Sequence, residues 1–133
     1  MTELNDITIS QENMVSILEE SGITNLIKPL VKEIYLFDTY IAGTSYIKDQ
    51  SLFQQLKPND SLILRRDIEN KFDDKAIVIL NQKKEKLGYI PRKDNVIFSR
   101  LLDAGKLLCA SVKEISKKGN FYTVKININL VDF

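Results

Sequence analysis

Between residues 62 and 92 the chain has few architectures open to it. Leu62-Ile63-Leu64 and Ala76-Ile77-Val78-Ile79-Leu80 are apolar runs too short for helices and bounded by turn-forming residues, which makes both of them strands. Between them Asn70-Lys71-Phe72-Asp73-Asp74-Lys75 breaks the apolar pattern with an amide, an aromatic ring and two carboxylates. A loop of that composition, held between strands, is where binding residues concentrate. Gly88 then interrupts the edge of a return strand over 87–90, and Pro91 ends it.

The flanking sequence extends the same architecture. Alternation rich in aromatic and β-branched residues predicts a strand over 33–41, then a bend at Ala42-Gly43 with Tyr46 just beyond it. Ser51 is placed to cap a short helix over 52–56, and 57–60 reads as a turn. Strands follow over 61–66 and 76–80, with a charged hairpin tip at 81–86. Asp94 suits the N-cap of a helix that carries Val96, Ile97 and Leu101 inward and stops at Gly105. Two longer strands, 106–116 and 121–130, are joined by a hairpin turn at 117–120. Six or so short strands with small helices give a mainly β (α+β) fold, a small OB-like or SH3-like β-barrel over residues 33–133.

Residues 1–32 form a separate helical extension on this reading. Ser10 caps a helix with Met14, Ile17 and Leu18 on one face, and Gly22 ends it. Ile23, Leu26, Ile27 and Leu30 keep the helical spacing until Pro29 limits it.

At 133 residues one domain is expected. The chain has no histidine and one cysteine, Cys109, set among apolar neighbours and expected in the core. That composition removes the usual nucleophile–base pairs and makes zinc an unsuitable cofactor. There is no phosphate-binding Gly-rich loop, and adjacent Asp73 and Asp74 would point to opposite faces of an extended segment instead of converging on Mg²⁺. No enzyme activity, cofactor or metal is expected. Net charge is only +1, so any nucleic-acid contact is local instead of a diffuse coat. The polar, acidic start lacks the pattern of a secretory signal, and no apolar run is long enough to span a membrane; the expectation is a cytoplasmic protein.

Three segments in register carry a resemblance. Phe37-Asp38-Thr39-Tyr40-Ile41-Ala42-Gly43-Thr44-Ser45-Tyr46, the Arg66-Asp67 and Asn70-x-Phe72-Asp73-x-x-Ala76-Ile77 run, and Gly88-Tyr89-Ile90-Pro91-Arg92 together resemble the HIRAN domain, a small β-barrel module found in some fork-remodelling helicases and alone in many bacterial proteins. The resemblance implies a non-catalytic DNA-binding module, and in the helicase versions recognition of a single strand at its free 3′-hydroxyl. On that basis Tyr46 and Phe72 are candidate stacking rings, Asp73 the acceptor for the hydroxyl, and Arg66, Arg92 and Lys93 the phosphate contacts. Tyr89 adds a polar contact, and Asn70 either orders the loop or touches the terminal nucleotide, the first role being favoured. Ser45 stands where the helicase versions carry a cation, and Phe72 where they carry tyrosine. The alternative reading is a protein-interaction or dimerisation module in which residues 10–31 dock a partner and the barrel is scaffold.

Overall fold

The computed structural model describes residues 32–132. Six strands account for most of it: β1 (Lys32–Tyr40), β2 (Ser61–Arg66), β3 (Ile77–Leu80), β4 (Lys86–Tyr89), β5 (Leu107–Lys118) and β6 (Phe121–Asp132). Two helices, α1 (Ser51–Gln54) and α2 (Arg92–Asp103), and a 3-10 turn at Thr44–Tyr46 complete the elements. All strand pairs are antiparallel and form one sheet in the order β1-β6-β5-β2-β3-β4. Register shifts interrupt the β1–β6, β5–β6 and β3–β4 ladders, and such irregularities increase twist and bend the sheet.

The sheet curls into a half-barrel until its two edges touch. Ala42, two residues past β1, bridges Tyr89 at the end of β4: Ala42 N donates to Tyr89 O at 2.8 Å and Tyr89 N to Ala42 O at 2.9 Å. Glycine at position 88 permits this approach, since a Cβ there would lie 2.4 Å from the Ala42 carbonyl oxygen and 2.5 Å from Ile41 Cγ2.

Period-two alternation fills the interior. Leu108, Ala110 and Val112 of β5 and Val124, Ile126 and Ile128 of β6 turn to the core, joined by Leu62 and Leu64 of β2, Ile77 and Ile79 of β3 and Leu87 of β4. Leu52 and Phe53 of α1 insert into this core, where the Phe53 ring stacks on Tyr122 with centroids 5.6 Å apart. Helix α2 packs Phe98 inward against Phe37 of β1 at 5.9 Å, and Thr39 Oγ1 donates to Asp94 Oδ2 at 2.8 Å, which ties the helix to β1.

Several expectations change. Cys109 is half-buried on the outer face, its Sγ 3.5 Å from Glu33 Oε1, because the alternation that buries Leu108 and Ala110 turns it outward. Val96 and Ile97 are exposed; α2 buries Asn95, Phe98 and Ser99 instead, with Leu101 packed on the core as expected. Pro91 occupies the N-cap position, so Asp94 lies within the first turn. At α1 the capping oxygen belongs to Asp49, which accepts from the Ser51 amide at 3.1 Å and from its hydroxyl. Gly105 does end α2, with φ +85°, its amide donating to Leu102 O at 3.0 Å. The β5–β6 turn tightens to residues 119 and 120. The helix expected from Ser10 to Gly22, and the spaced apolar residues after it, lie outside the described residues, while Lys32, expected in the extension, begins β1.

Candidate nucleic-acid interface

The seam that joins the sheet edges fixes one wall of an open cleft of about 340 Å³. Residues paired across an antiparallel bridge present their side chains on one face, and Ala42 and Tyr89 line the cleft together with Gly43 and Ile90. The opposite wall is the loop between β2 and β3, which contributes Asn70, Phe72, Asp73 and Ala76, and Arg92 enters from the start of α2.

The loop is held by its own polar residues. Asn70 Oδ1 accepts from the Phe72 amide at 2.9 Å and the Asp73 amide at 3.0 Å, the side-chain–backbone turn that Asn favours. Asn70 Nδ2 donates to Asp67 Oδ2 at 3.3 Å, and the same oxygen accepts from Tyr89 Oη at 3.1 Å, so loop and seam share an acceptor. Lys86 Nζ donates to Tyr89 Oη at 2.8 Å and lies 4.4 Å from the ring centroid. Arg66 supports the loop from behind: Nη1 donates to Ala76 O and Nη2 to Asp74 O, both at 2.8 Å, while Nε pairs with Asp103 at 3.0 Å. Its guanidinium positions the loop and does not line the cleft.

Asp73 sits where the β2–β3 loop meets α2. Oδ1 accepts from the Lys75 amide at 3.0 Å, Oδ2 accepts from Asn95 Nδ2 at 2.8 Å, and Arg92 Nε lies 3.6 Å from Oδ2. The hydrogen bond from the Lys75 backbone amide, then that from Asn95 and the charges of Arg92 and Arg66, hold its carboxyl below the ordinary carboxylate range against the opposing effect of burial. Asp73 is therefore an acceptor only, and an ionised carboxylate with one hydrogen bond on each oxygen keeps lone pairs for another donor. Arg92 also donates from Nη2 to Phe72 O at 2.9 Å. Asn95, fully buried on α2, is the residue that the sequence reading missed. An amide within a helix carries no signal of its own, and the apolar neighbours Val96 and Ile97 mark a different face.

Two rings have almost no cover: Phe72, which lines the cleft, is 87% exposed, and Tyr46, three residues past the lining Gly43, is 88% exposed. Phe72 lines the loop wall, and the Tyr46 ring approaches the opposite wall, its Cδ2 3.9 Å from where a Cβ on Gly43 would stand. Isolated exposed aromatics are ordinary, but a bare ring lining a concavity beside a fixed carboxylate, with a second bare ring nearby, is an arrangement suited to stacking. Thr44 Oγ1 donates to Tyr122 O at 2.6 Å, which anchors the Tyr46 turn to β6 beside the half-exposed Phe121. Lys93 is exposed in the first turn of α2, next to Arg92. Cations are disfavoured at a helix N-terminus by about 0.3–1 kcal/mol each, a local cost that an anionic ligand would offset.

Thus Asn70, Phe72, Asp73, Tyr89 and Arg92 converge on one cleft and Arg66 braces the loop, whereas Tyr46 and Lys93 do not line it and stand next to lining residues, Tyr46 near Gly43 and Lys93 after Arg92. Among the described residues no three Asp, Glu, His or Cys side chains assemble as a metal site, and no helix is long and apolar enough to cross a membrane.

The fold is similar to that of two proteins of known structure. A protein from Lactobacillus plantarum superposes with a TM-score of 0.71 at 23% identity, covering 77% of this chain and 99% of its own. The HIRAN domain of human HLTF superposes with a TM-score of 0.62 at 16% identity, covering 77% of this chain and 79% of its own. No curated protein sequence matches the chain. The family model for the HIRAN domain matches residues 34–131, nearly all of the described half-barrel, including the seam, the loop and both rings. HIRAN domains are generally non-catalytic DNA-binding modules, which supports nucleic-acid binding here. The chain belongs to the HIRAN domain family.

Proposed function

We propose that the cleft binds single-stranded DNA at its free 3′-hydroxyl end, without catalysis. The observation that carries this reading is Asp73: an ionised carboxylate fixed by Lys75, Asn95 and Arg92 in the loop wall of the cleft, with the bare Phe72 ring beside it. Such a carboxylate accepts a hydrogen bond from a terminal hydroxyl and repels a terminal phosphate. Two unit charges about 4 Å apart repel by roughly 1 kcal/mol in water and roughly 4 kcal/mol near a protein surface, a discrimination of at least about fivefold. Tyr46 and Phe72 stack the last bases, each worth about 1–3 kcal/mol. Arg92 and Lys93 meet the adjoining phosphates; Ser45, lacking a charge, adds nothing there.

Fluorescence anisotropy of three labelled ten-nucleotide strands tests this: one ending in 3′-hydroxyl, one in 3′-phosphate, one closed into a circle. Tight binding is expected for the 3′-hydroxyl strand alone, lost in Asp73→Ala and weakened in Tyr46→Ala. With two or three phosphates engaged, log affinity falls with log salt at a slope of about −1.4 to −2. Equal affinity for all three strands refutes end recognition.

A further inference from the structure

The chain divides unevenly in charge. Residues 1–31 hold Glu3, Asp6, Glu12, Glu19 and Glu20 against Lys28 alone, a net charge of −4; with the whole chain at +1, residues 32–133 carry +5. The same acidic stretch contains the spaced apolar residues Met14, Ile17, Leu18, Leu26 and Ile27.

An apolar groove lies where this stretch enters the fold. β1 is an edge strand, paired with β6 on one side only apart from the bridge at the seam. Its Ile34 and Phe37 are exposed, and the Phe37–Phe98 contact and the Thr39–Asp94 bond bring α2 alongside. Ile97, 68% exposed, shares a helical face with Asp94 and Leu101, the side of α2 turned to β1. Ile34 is three residues beyond residue 31, so residues 1–31 are tethered at the mouth of the groove. A short tether supplies an effective concentration in the millimolar range. Ile97 lies five residues from Arg92, roughly 7.5 Å along the helix, which places a segment in the groove next to the basic end of the cleft.

We propose that residues 1–31 dock in cis in the groove between β1 and α2, and that their carboxylates screen Arg92 and Lys93 and so hold nucleic-acid affinity down. The docking stands on the groove, the tether and the charge division; the screening rests on the function proposed above.

The test uses the full chain with Cys109→Ser and a nitroxide label at Arg100→Cys, on the exposed side of α2. Amide resonances of residues 10–31 are expected to broaden at low protein concentration, to the same extent after dilution. No broadening there overturns the docking. Broadening of unlabelled, isotopically enriched chains mixed with labelled ones identifies a second copy as the occupant and equally overturns it. In the unlabelled full chain, Glu12→Gln, Glu19→Gln and Glu20→Gln together are expected to tighten binding of the 3′-hydroxyl strand at least threefold at low salt, with the gain vanishing at high salt. Broadening without tightening overturns the screening. Absence of strand binding by either protein overturns the proposed function and leaves the resonance measurement to decide the docking.

Discussion

Replacing Gly88 with alanine puts a methyl group against the backbone that closes the half-barrel. The added Cβ would stand 2.4 Å from the Ala42 carbonyl oxygen, where a relaxed carbon–oxygen contact is about 3.3–3.6 Å, so Ala42 and Tyr89 must separate by roughly 1 Å. That breaks or lengthens both hydrogen bonds of the bridge, now 2.8 and 2.9 Å. At about 0.5–1.5 kcal/mol per bond, the cost is about 1–3 kcal/mol. The entropic benefit of alanine in the unfolded chain, about 0.4–1 kcal/mol, is offset by the φ of +153° at this position. The same movement parts Ala42 and Gly43 from Tyr89, the seam wall of the cleft. Urea denaturation read by tyrosine fluorescence should show a lowered midpoint at unchanged slope, and strand affinity should fall in the protein that remains folded. Gly105→Ala is the comparator: its φ is +85° but a Cβ there meets nothing within 4 Å, so it should cost stability and leave affinity alone. A Gly88→Ala protein with unaltered midpoint and affinity would refute the claim that the seam closes by contact at this glycine and sets the cleft.

Further outcomes follow from the cleft's hydrogen bonds. Because the folded-state pKa of Asp73 is lowered, its contribution to stability is fully present above the ordinary carboxylate pKa and is lost as pH falls through the lowered value. Strand binding measured from pH 7 downward should hold level through pH 5 and fail only below the ordinary carboxylate range; loss already near pH 6 would show that another group controls it. Asn95→Ala removes a bond to a charged acceptor and should destabilise by about 1.5–3 kcal/mol in urea melts, while moving the acid limit of binding upward; no movement of that limit would separate Asn95 from Asp73. Lys93→Ala should reduce the salt slope by about 0.7 and slightly raise the melting temperature, because a cation leaves a helix N-terminus. An unchanged slope would remove Lys93 from the phosphate path.

Strands were legible in the sequence because each is short, alternating and punctuated. Pro91 and the turns expected at 57–60 and 117–120 punctuate them, the second tightening to 119–120, and β2 falls on the expected residues 61–66. What period two cannot state is which alternate set faces in. Cys109 reads as core because its neighbours are apolar, yet Leu108 and Ala110 take the inner positions and it takes the outer one. For α2 the apolar triplet Val96, Ile97 and Leu101 suggests a face, whereas the helix turns by about 100° per residue and packs through Phe98. On that buried side α2 also places the Asn95 amide on Asp73.

The cleft shows why its parts were legible and their arrangement was not. Asn70, Phe72 and Asp73 are adjacent in sequence, so one loop reveals them; Tyr89 and Arg92 share a second segment; Tyr46 belongs to a third. Which of them meet depends on a bridge 47 residues apart in sequence, Ala42 to Tyr89, formed by backbone atoms that leave no side-chain signature beyond the glycine beside it. Arg66 marks the limit of reading by residue type. Its planar fork suits a phosphate and equally suits two carbonyls and a carboxylate, and the loop's bend at Asp74 and Ala76 presents those groups first. An arginine engaged in that way cannot be released to a ligand without unfastening the wall that holds Asp73, so Arg66→Lys, which keeps the charge and loses the fork, should weaken binding through the loop instead of through phosphate. That is separable by experiment: the salt slope stays unchanged while affinity and stability fall together, whereas a slope reduced by about 0.7 would show that Arg66 contacts the strand directly.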